Sequence, residues 1–167
     1  MRALVIGGDG FLGRALVEAL AKAGENVRGT TRRPAFINSR DYLDLAEPIP
    51  EKLPDVDVVY LVAAVTTFQT CEGNPEAWRV NVDAPIEIAM KAIDAGSFVV
   101  FVSSDSVEWC GATAYARTKA AAEVAIRTLR HSAIFRPARI LPARVNEVCE
   151  LMISIGRERR AGVYRWS

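Results

Sequence analysis

Tyr115 and Lys119 stand four residues apart in the alanine-rich stretch Ala114–Arg130, whose charges are spaced for a helix, so the two side chains share one helical face. That pairing suits hydride transfer to or from a carbon bearing oxygen, because the oxygen must gain or lose a proton as the carbon reacts. A phenol, with pKa ~10, is poorly ionised at neutral pH, and a neighbouring ammonium stabilises the phenolate. Lys119 would supply that charge and could also hydrogen-bond the ribose of a nicotinamide cofactor. Ser104 closes the apolar run Ser97–Ser103 and would hold the substrate oxygen beside Tyr115. The spacing Y-x-x-x-K alone arises by chance on surface helices, so its meaning depends on what the rest of the chain places beside it.

A second group is the loop Gly7-Gly8-Asp9-Gly10-Phe11-Leu12-Gly13, set between the apolar run Arg2–Ile6 and a series Leu12, Leu16, Leu20 at spacing four. This reads as strand, tight turn, helix. Gly7 permits the sharp exit from the strand, Gly10 lets backbone approach a pyrophosphate, and Gly13 permits close packing of helix on strand. Phe11 and Leu12 open the helix whose amino terminus faces the phosphates. After the second strand an NAD-binding domain carries an acid for the adenosine ribose hydroxyls, whereas this chain reads Thr30-Thr31-Arg32-Arg33. Guanidinium groups suit a 2′-phosphate, so Arg32 and Arg33 favour NADP over NAD, the alternative being a solvated basic turn.

These groups need a scaffold that brings residues 7, 32, 104 and 115 to one edge. Strands are expected at Arg2–Ile6, Asn26–Thr31, briefly at Tyr42–Leu45, then at Asp57–Val65, Ser97–Ser103, Ser132–Arg136 and Gly162–Trp166. Helices are expected from Leu12 to a stop at Gly24, over Glu76–Ala95, Ala114–Arg130 and Val145–Ile155. Strands alternating with helices predict an α/β fold, a doubly wound and mostly parallel Rossmann-like sheet with helices on both faces. In such a sheet ligands sit beyond the carboxyl ends of the strands, which is where all these motifs fall.

The bulk properties limit the alternatives. With 167 residues, half of them hydrophobic, the chain suits one domain of roughly 100–200 residues. Lys and Arg number 21 against 20 Asp and Glu, so no net field draws in nucleic acid or an anionic membrane surface. Cys71, Cys110 and Cys149 form no C-x-x-C pair and have no neighbouring histidine, so no metal site is expected and a reducing, cytoplasmic setting is. No apolar run reaches the ~18–20 residues of a membrane span, and no secretory leader is read at the start. His131 reads as a helix-end residue, and Cys110 has no base to make it a nucleophile.

Taken together, these residues resemble the extended short-chain dehydrogenase/reductases, the family of NAD(P)-dependent nucleotide-sugar epimerases, dehydratases and reductases. Ile6–Gly13 is similar to that family's opening fingerprint, Asp44-Leu45 to its adenine-contacting pair, and Leu61-Val62-Ala63-Ala64 to the segment lining the cofactor. Asn81–Pro85, Ser103–Val107 and Tyr115–Lys119 complete the set, and the wording of the first two looks closest to the dTDP-4-dehydrorhamnose reductase branch.

The resemblance implies Tyr115 as acid/base, Lys119 as its activator and ribose anchor, and Ser104 as the hydrogen-bond donor to the substrate oxygen. It implies cofactor contacts at Asp44, Leu45, Ala63, Ala64 and Asn81, and at Arg136, which opens the Arg136–Arg139 segment near the nicotinamide. Two departures stand out. The interval from Ser104 to Tyr115 is short, so that Glu108, Trp109 and Cys110 would line a reduced loop, and the region after Pro142 is much smaller than in relatives. The expected organisation is a dinucleotide-binding domain over residues 1–142 with a remnant of the substrate region, 143–167, packed on it. The implied function is an NADP-dependent oxidoreductase or epimerase-type enzyme acting on a small carbonyl or sugar-like substrate, with a homodimer possible through its helices. The alternative is a non-catalytic NAD(P)-binding protein, a redox sensor or assembly subunit.

Overall fold

Seven parallel strands form one sheet in the order β3-β2-β1-β4-β5-β6-β7. They are β1 (Arg2–Ile6), β2 (Asn26–Thr31), β3 (Asp41–Tyr42), β4 (Val58–Leu61), β5 (Phe98–Val102), β6 (Ser132–Pro137) and β7 (Gly162–Trp166). The structure, a computed structural model, describes residues 1–33, 41–66, 71–109 and 112–167; Cys110, expected to line the reduced loop, lies outside them. The sheet grows from β1 in both directions, through β2 and β3 on one side and β4 to β7 on the other. The strand order therefore reverses between β1 and β4, which pair in the register Leu4↔Val59.

Helices cover both faces: α1 (Phe11–Lys22), α2 (Pro75–Trp78), α3 (Ala84–Asp94), α4 (Ala114–Ile126) and α5 (Val145–Glu158). Alternation along the strands sorts the side chains. Leu4, Ile6, Val59, Leu61, Val99, Phe101 and Ile134 pack with Ile88, Ala89 and Ala92 of α3 and Ala122 and Ile126 of α4. Ala3, Val5, Val58, Tyr60, Val100, Ala133 and Phe135 pack on the opposite face with Leu16 and Leu20 of α1 and Val148, Cys149 and Met152 of α5. Burial on both faces explains why β5 reads Phe-Val-Val-Phe-Val without a polar residue.

Local chemistry sets the ends of these elements. Asn74 caps α2 by accepting from the Glu76 N–H at 3.0 Å, with Pro75 at the first helical position, where a missing N–H is harmless. Thr113 caps α4 by accepting from the Ala116 N–H at 3.0 Å.

Four boundaries differ from the sequence expectation. The strand expected over Tyr42–Leu45 is displaced to Asp41–Tyr42, because the Asp44 side chain captures the Ala46 N–H at 2.9 Å and starts a turn. The strand expected over Asp57–Val65 ends at Leu61, where the Val62 and Ala63 N–H groups both turn onto the Ile6 carbonyl. The helix expected over Glu76–Ala95 contains a π-helical turn, Arg79–Asp83, between α2 and α3. The helix expected to reach Arg130 ends at Ile126, after which Ser132 Oγ donates to the Ile126 and Leu129 carbonyls. After β6, α5 crosses over the α1 face and returns the chain into β7, parallel to β6 in the register Ile134↔Val163.

Candidate functional site

The carboxyl ends of β1 to β6 open into one cavity of about 600 Å³, in the range of small-ligand sites. The glycine loop forms its floor. Gly7 leaves β1 at φ +89°, a left-handed conformation that glycine adopts without penalty, and a Cβ there would come within 2.8 Å of Ala63 Cβ. A Cβ on Gly13 would overlap the Gly7 carbonyl oxygen, so α1 can sit this close to β1 only with glycine at its third position. The loop is tied to β2 by the Gly8 N–H on the Thr30 carbonyl at 2.9 Å and the Gly7 N–H on Thr30 Oγ1 at 3.0 Å.

Gly10 is the N-cap of α1 and supplies no side-chain cap, and the first turn carries no acid. The first N–H groups of the helix therefore face the cavity wall formed by Gly10, Phe11, Leu12 and Gly13 with the positive end of the helix dipole behind them. A bare glycine floor with these donors fits a pyrophosphate in shape and charge.

From the sequence-predicted residues, the cavity gathers Gly7, Gly10, Phe11, Leu12, Gly13, Arg32, Arg33, Asp44, Leu45, Ala63, Ala64, Ser104, Tyr115 and Lys119. Two others lie outside its wall. Asn81 is fully buried behind it, accepting from the Val65 N–H at 2.8 Å and donating to the Val65 carbonyl at 2.9 Å and to Thr118 Oγ1 at 3.1 Å. It clamps the segment after β4 against α4. Arg136 points instead into α4, where its Nε lies 3.0 Å from Glu123 and a second nitrogen pairs with the same carboxylate. Glu108 also lies off the cavity wall, bridging Arg136 at 3.4 Å and Arg165 at 2.5 Å.

At the far end of the cavity Ser104 follows β5 and lines the wall with Tyr115, its hydroxyl donating to Asp105 Oδ1 at 3.2 Å. Ser106 holds Ser104 in place, its N–H at 3.2 Å and its hydroxyl at 2.9 Å from Ser104 Oγ. Burial pushes the phenol above its ordinary value, Cys71 and Asp105 add to this, and the Ser104 hydroxyl opposes it. The shift is opposite to the one expected from Lys119, which is not among its causes; loss of water around the ring dominates. Lys119 is buried one helical turn on, its Nζ 4.0 Å from the centre of the Phe101 ring. Burial draws it down to about 7, against the opposing pull of Glu123.

A stability prediction follows from that shift. The folded protein releases the Lys119 proton near pH 7 while the unfolded chain holds it to about 10.5. The buried charge is destabilising in full below pH 7, and stability rises with pH between those values. Lys119→Met is therefore expected to raise the melting temperature most at pH 6 and progressively less toward pH 9. A gain independent of pH in thermal denaturation would refute this.

Sequence reasoning missed Asp9, Thr31 and Ser103 on the cavity wall, and Glu123 behind it, bonded to Ser103. Asp9 was visible within the glycine loop, and Glu123 as an acid four residues beyond Lys119 on the same helical face. Among the described residues no helix is long and apolar enough to cross a membrane, and no group of three or more His, Cys, Asp or Glu could hold a metal ion.

Known proteins share this architecture. A dTDP-4-dehydrorhamnose reductase of Clostridium acetobutylicum superposes with a TM-score of 0.82 at 19% identity, over 100% of this chain and 74% of that one. A dTDP-4-dehydrorhamnose reductase of Bacillus anthracis in complex with NADP superposes at 0.79 and 16% identity, over 99% and 74% of the two chains. MoeE5 in complex with UDP-glucose and NAD does so at 0.78 and 22% identity, over 99% and 75%. At these identities the likeness is one of fold.

In sequence, a ceramide reductase of Caulobacter vibrioides is 35% identical over 146 residues, 81% of this chain and 45% of that protein. A probable low-salt glycan biosynthesis reductase of Haloferax volcanii is 35% identical over 114 residues, 64% of this chain and 38% of that protein. The chain thus spans less than half the length of either relative. The family model described as the RmlD substrate binding domain matches residues 1–163, nearly the whole chain, and the chain belongs to that family.

Proposed function

We propose that this chain is an NADP-dependent oxidoreductase or epimerase-type enzyme that acts by hydride transfer on a small carbonyl or sugar-like substrate. The observation that carries the proposal is one cavity with Ser104, Tyr115 and Lys119 at one end, the bare glycine floor in the middle and Arg32 and Arg33 at the other. That order of groups suits a dinucleotide with a 2′-phosphate on its adenosine. The named reductases among the relatives, and NADP in the Bacillus anthracis structure, support the same reading.

When bound, the nicotinamide supplies or accepts the hydride. The protein supplies the rest. Tyr115, protonated at neutral pH because burial holds its phenol up, donates its proton to the substrate oxygen during reduction and takes it back in the reverse direction. Ser104 donates a second hydrogen bond to that oxygen, fixing it beside the phenol. Lys119 would steady the phenolate and hold the ribose of the bound cofactor. Its burial over Phe101 excludes water from the proton's path.

The test is NADPH oxidation, followed by its absorbance, across a panel of simple carbonyls and nucleotide-linked keto sugars. Turnover with any member supports the proposal. Tight NADPH binding without turnover on the whole panel would replace it with the non-catalytic cofactor-binding reading, and absence of binding would remove both.

A further inference from the structure

The glycine loop carries a charge that the phosphate cradle does not need. Asp9, between Gly8 and Gly10, lines the cavity, and its side chain is 13% exposed. It accepts a hydrogen bond from the Thr31 hydroxyl at 2.9 Å and pairs with Arg33 Nε at 3.3 Å. The Arg33 N–H in turn donates to Thr31 Oγ1 at 3.0 Å. Three residues from two segments, the glycine loop and the end of β2, are thus joined at the cavity end occupied by Arg32 and Arg33.

We infer that Asp9 is a specificity-determining residue that sets whether the adenosine 2′ position is accepted as a hydroxyl or as a phosphate. This rests on the proposed dinucleotide in the cavity. A carboxylate accepts hydrogen bonds from ribose hydroxyls and repels a phosphate, whereas a guanidinium pairs with a phosphate through its planar fork. Here the two are locked to each other, so the Asp9–Arg33 pair has no net charge. A 2′-phosphate must draw Arg33 away from Asp9 and sit near an uncompensated carboxylate; a 2′-hydroxyl can donate to Asp9 with the pair intact. The arrangement weakens, without reversing, the NADP preference that Arg32 and Arg33 confer, so NADH binds measurably but less tightly than NADPH.

Asp9→Asn removes the charge while keeping an oxygen for the Thr31 hydroxyl to donate to, so the loop is retained; Asp9→Ser is a second uncharged variant should the first fail to fold. Dissociation constants for NADPH and NADH are measured calorimetrically on wild type, both Asp9 variants and Arg33→Ala, with melting temperatures as the fold control. The expected result is an NADPH-over-NADH preference raised about tenfold by loss of Asp9, a difference of ~1.4 kcal/mol, and lowered by Arg33→Ala. If wild type binds both cofactors and the ratio does not move in a folded Asp9 variant, the inference is overturned and the proposed function stands. If wild type binds neither, the proposed function falls and this inference with it.

Discussion

Phenylalanine at position 115 is expected to lower turnover by about 10²–10⁴-fold, the range general acid–base catalysis contributes. The substitution keeps the ring, which packs against the small cluster of Cys71, Ala77 and Ala114, so melting temperature and NADPH affinity should stay near wild type. Only the phenolic hydroxyl is lost. The pH dependence has a definite sign. Because burial raises the phenol, it stays protonated through neutral pH, and carbonyl reduction, which consumes that proton, is supported there. The reverse oxidation needs the phenolate and should accelerate as pH rises above neutrality. Steady-state rates in both directions on wild type and Tyr115→Phe check this, and turnover unchanged in the variant would disprove the assigned role.

Glu123→Ala is expected to destabilise the protein by about 3–5 kcal/mol, as when one partner of a buried ion pair is removed. The carboxylate is buried on α4, where it receives the Ser103 hydroxyl at 2.8 Å and the Arg136 guanidinium, with Arg127 at 3.8 Å. Its loss leaves Arg136, largely covered, and Lys119, fully covered, as neighbouring cations with no acid between them. Removing both charges as Glu123→Leu with Arg136→Met should cost much less, since two apolar side chains need no partner. Urea denaturation midpoints at constant slope measure the effect. A single-variant loss under about 1 kcal/mol would show that the pair contributes no more than an exposed one. Because Glu123 pulls the Lys119 proton affinity upward, its removal should also move Lys119 further below its present position near 7.

The central strands were legible because burial on both faces writes itself as an unbroken apolar run. Phe98–Val102 is such a run, rich in valine, and Gly162–Trp166 forms the last strand where one was expected. Two of the boundaries that failed did so where a single acceptor intervened, the Asp44 carboxylate after β3 and the Ile6 carbonyl after β4. The first is a local turn that the strand reading overlooked; the second joins residues whose proximity no local pattern encodes.

Arg136 and Asn81 illustrate the same limit within the site. Each stands at the position the family resemblance marks, and each side chain is directed elsewhere, Arg136 by the acid on α4 and Asn81 by the backbone of Val65. The residue types that can do chemistry here, their order along the chain and the parallel sheet that carries them are properties of the sequence, because glycine spacing, helical spacing and apolar runs are local. Which of those residues meet, which cations are already paired and how far burial moves Lys119 and Tyr115 were decided only by the tertiary structure, because charge pairing and desolvation depend on neighbours distant in sequence.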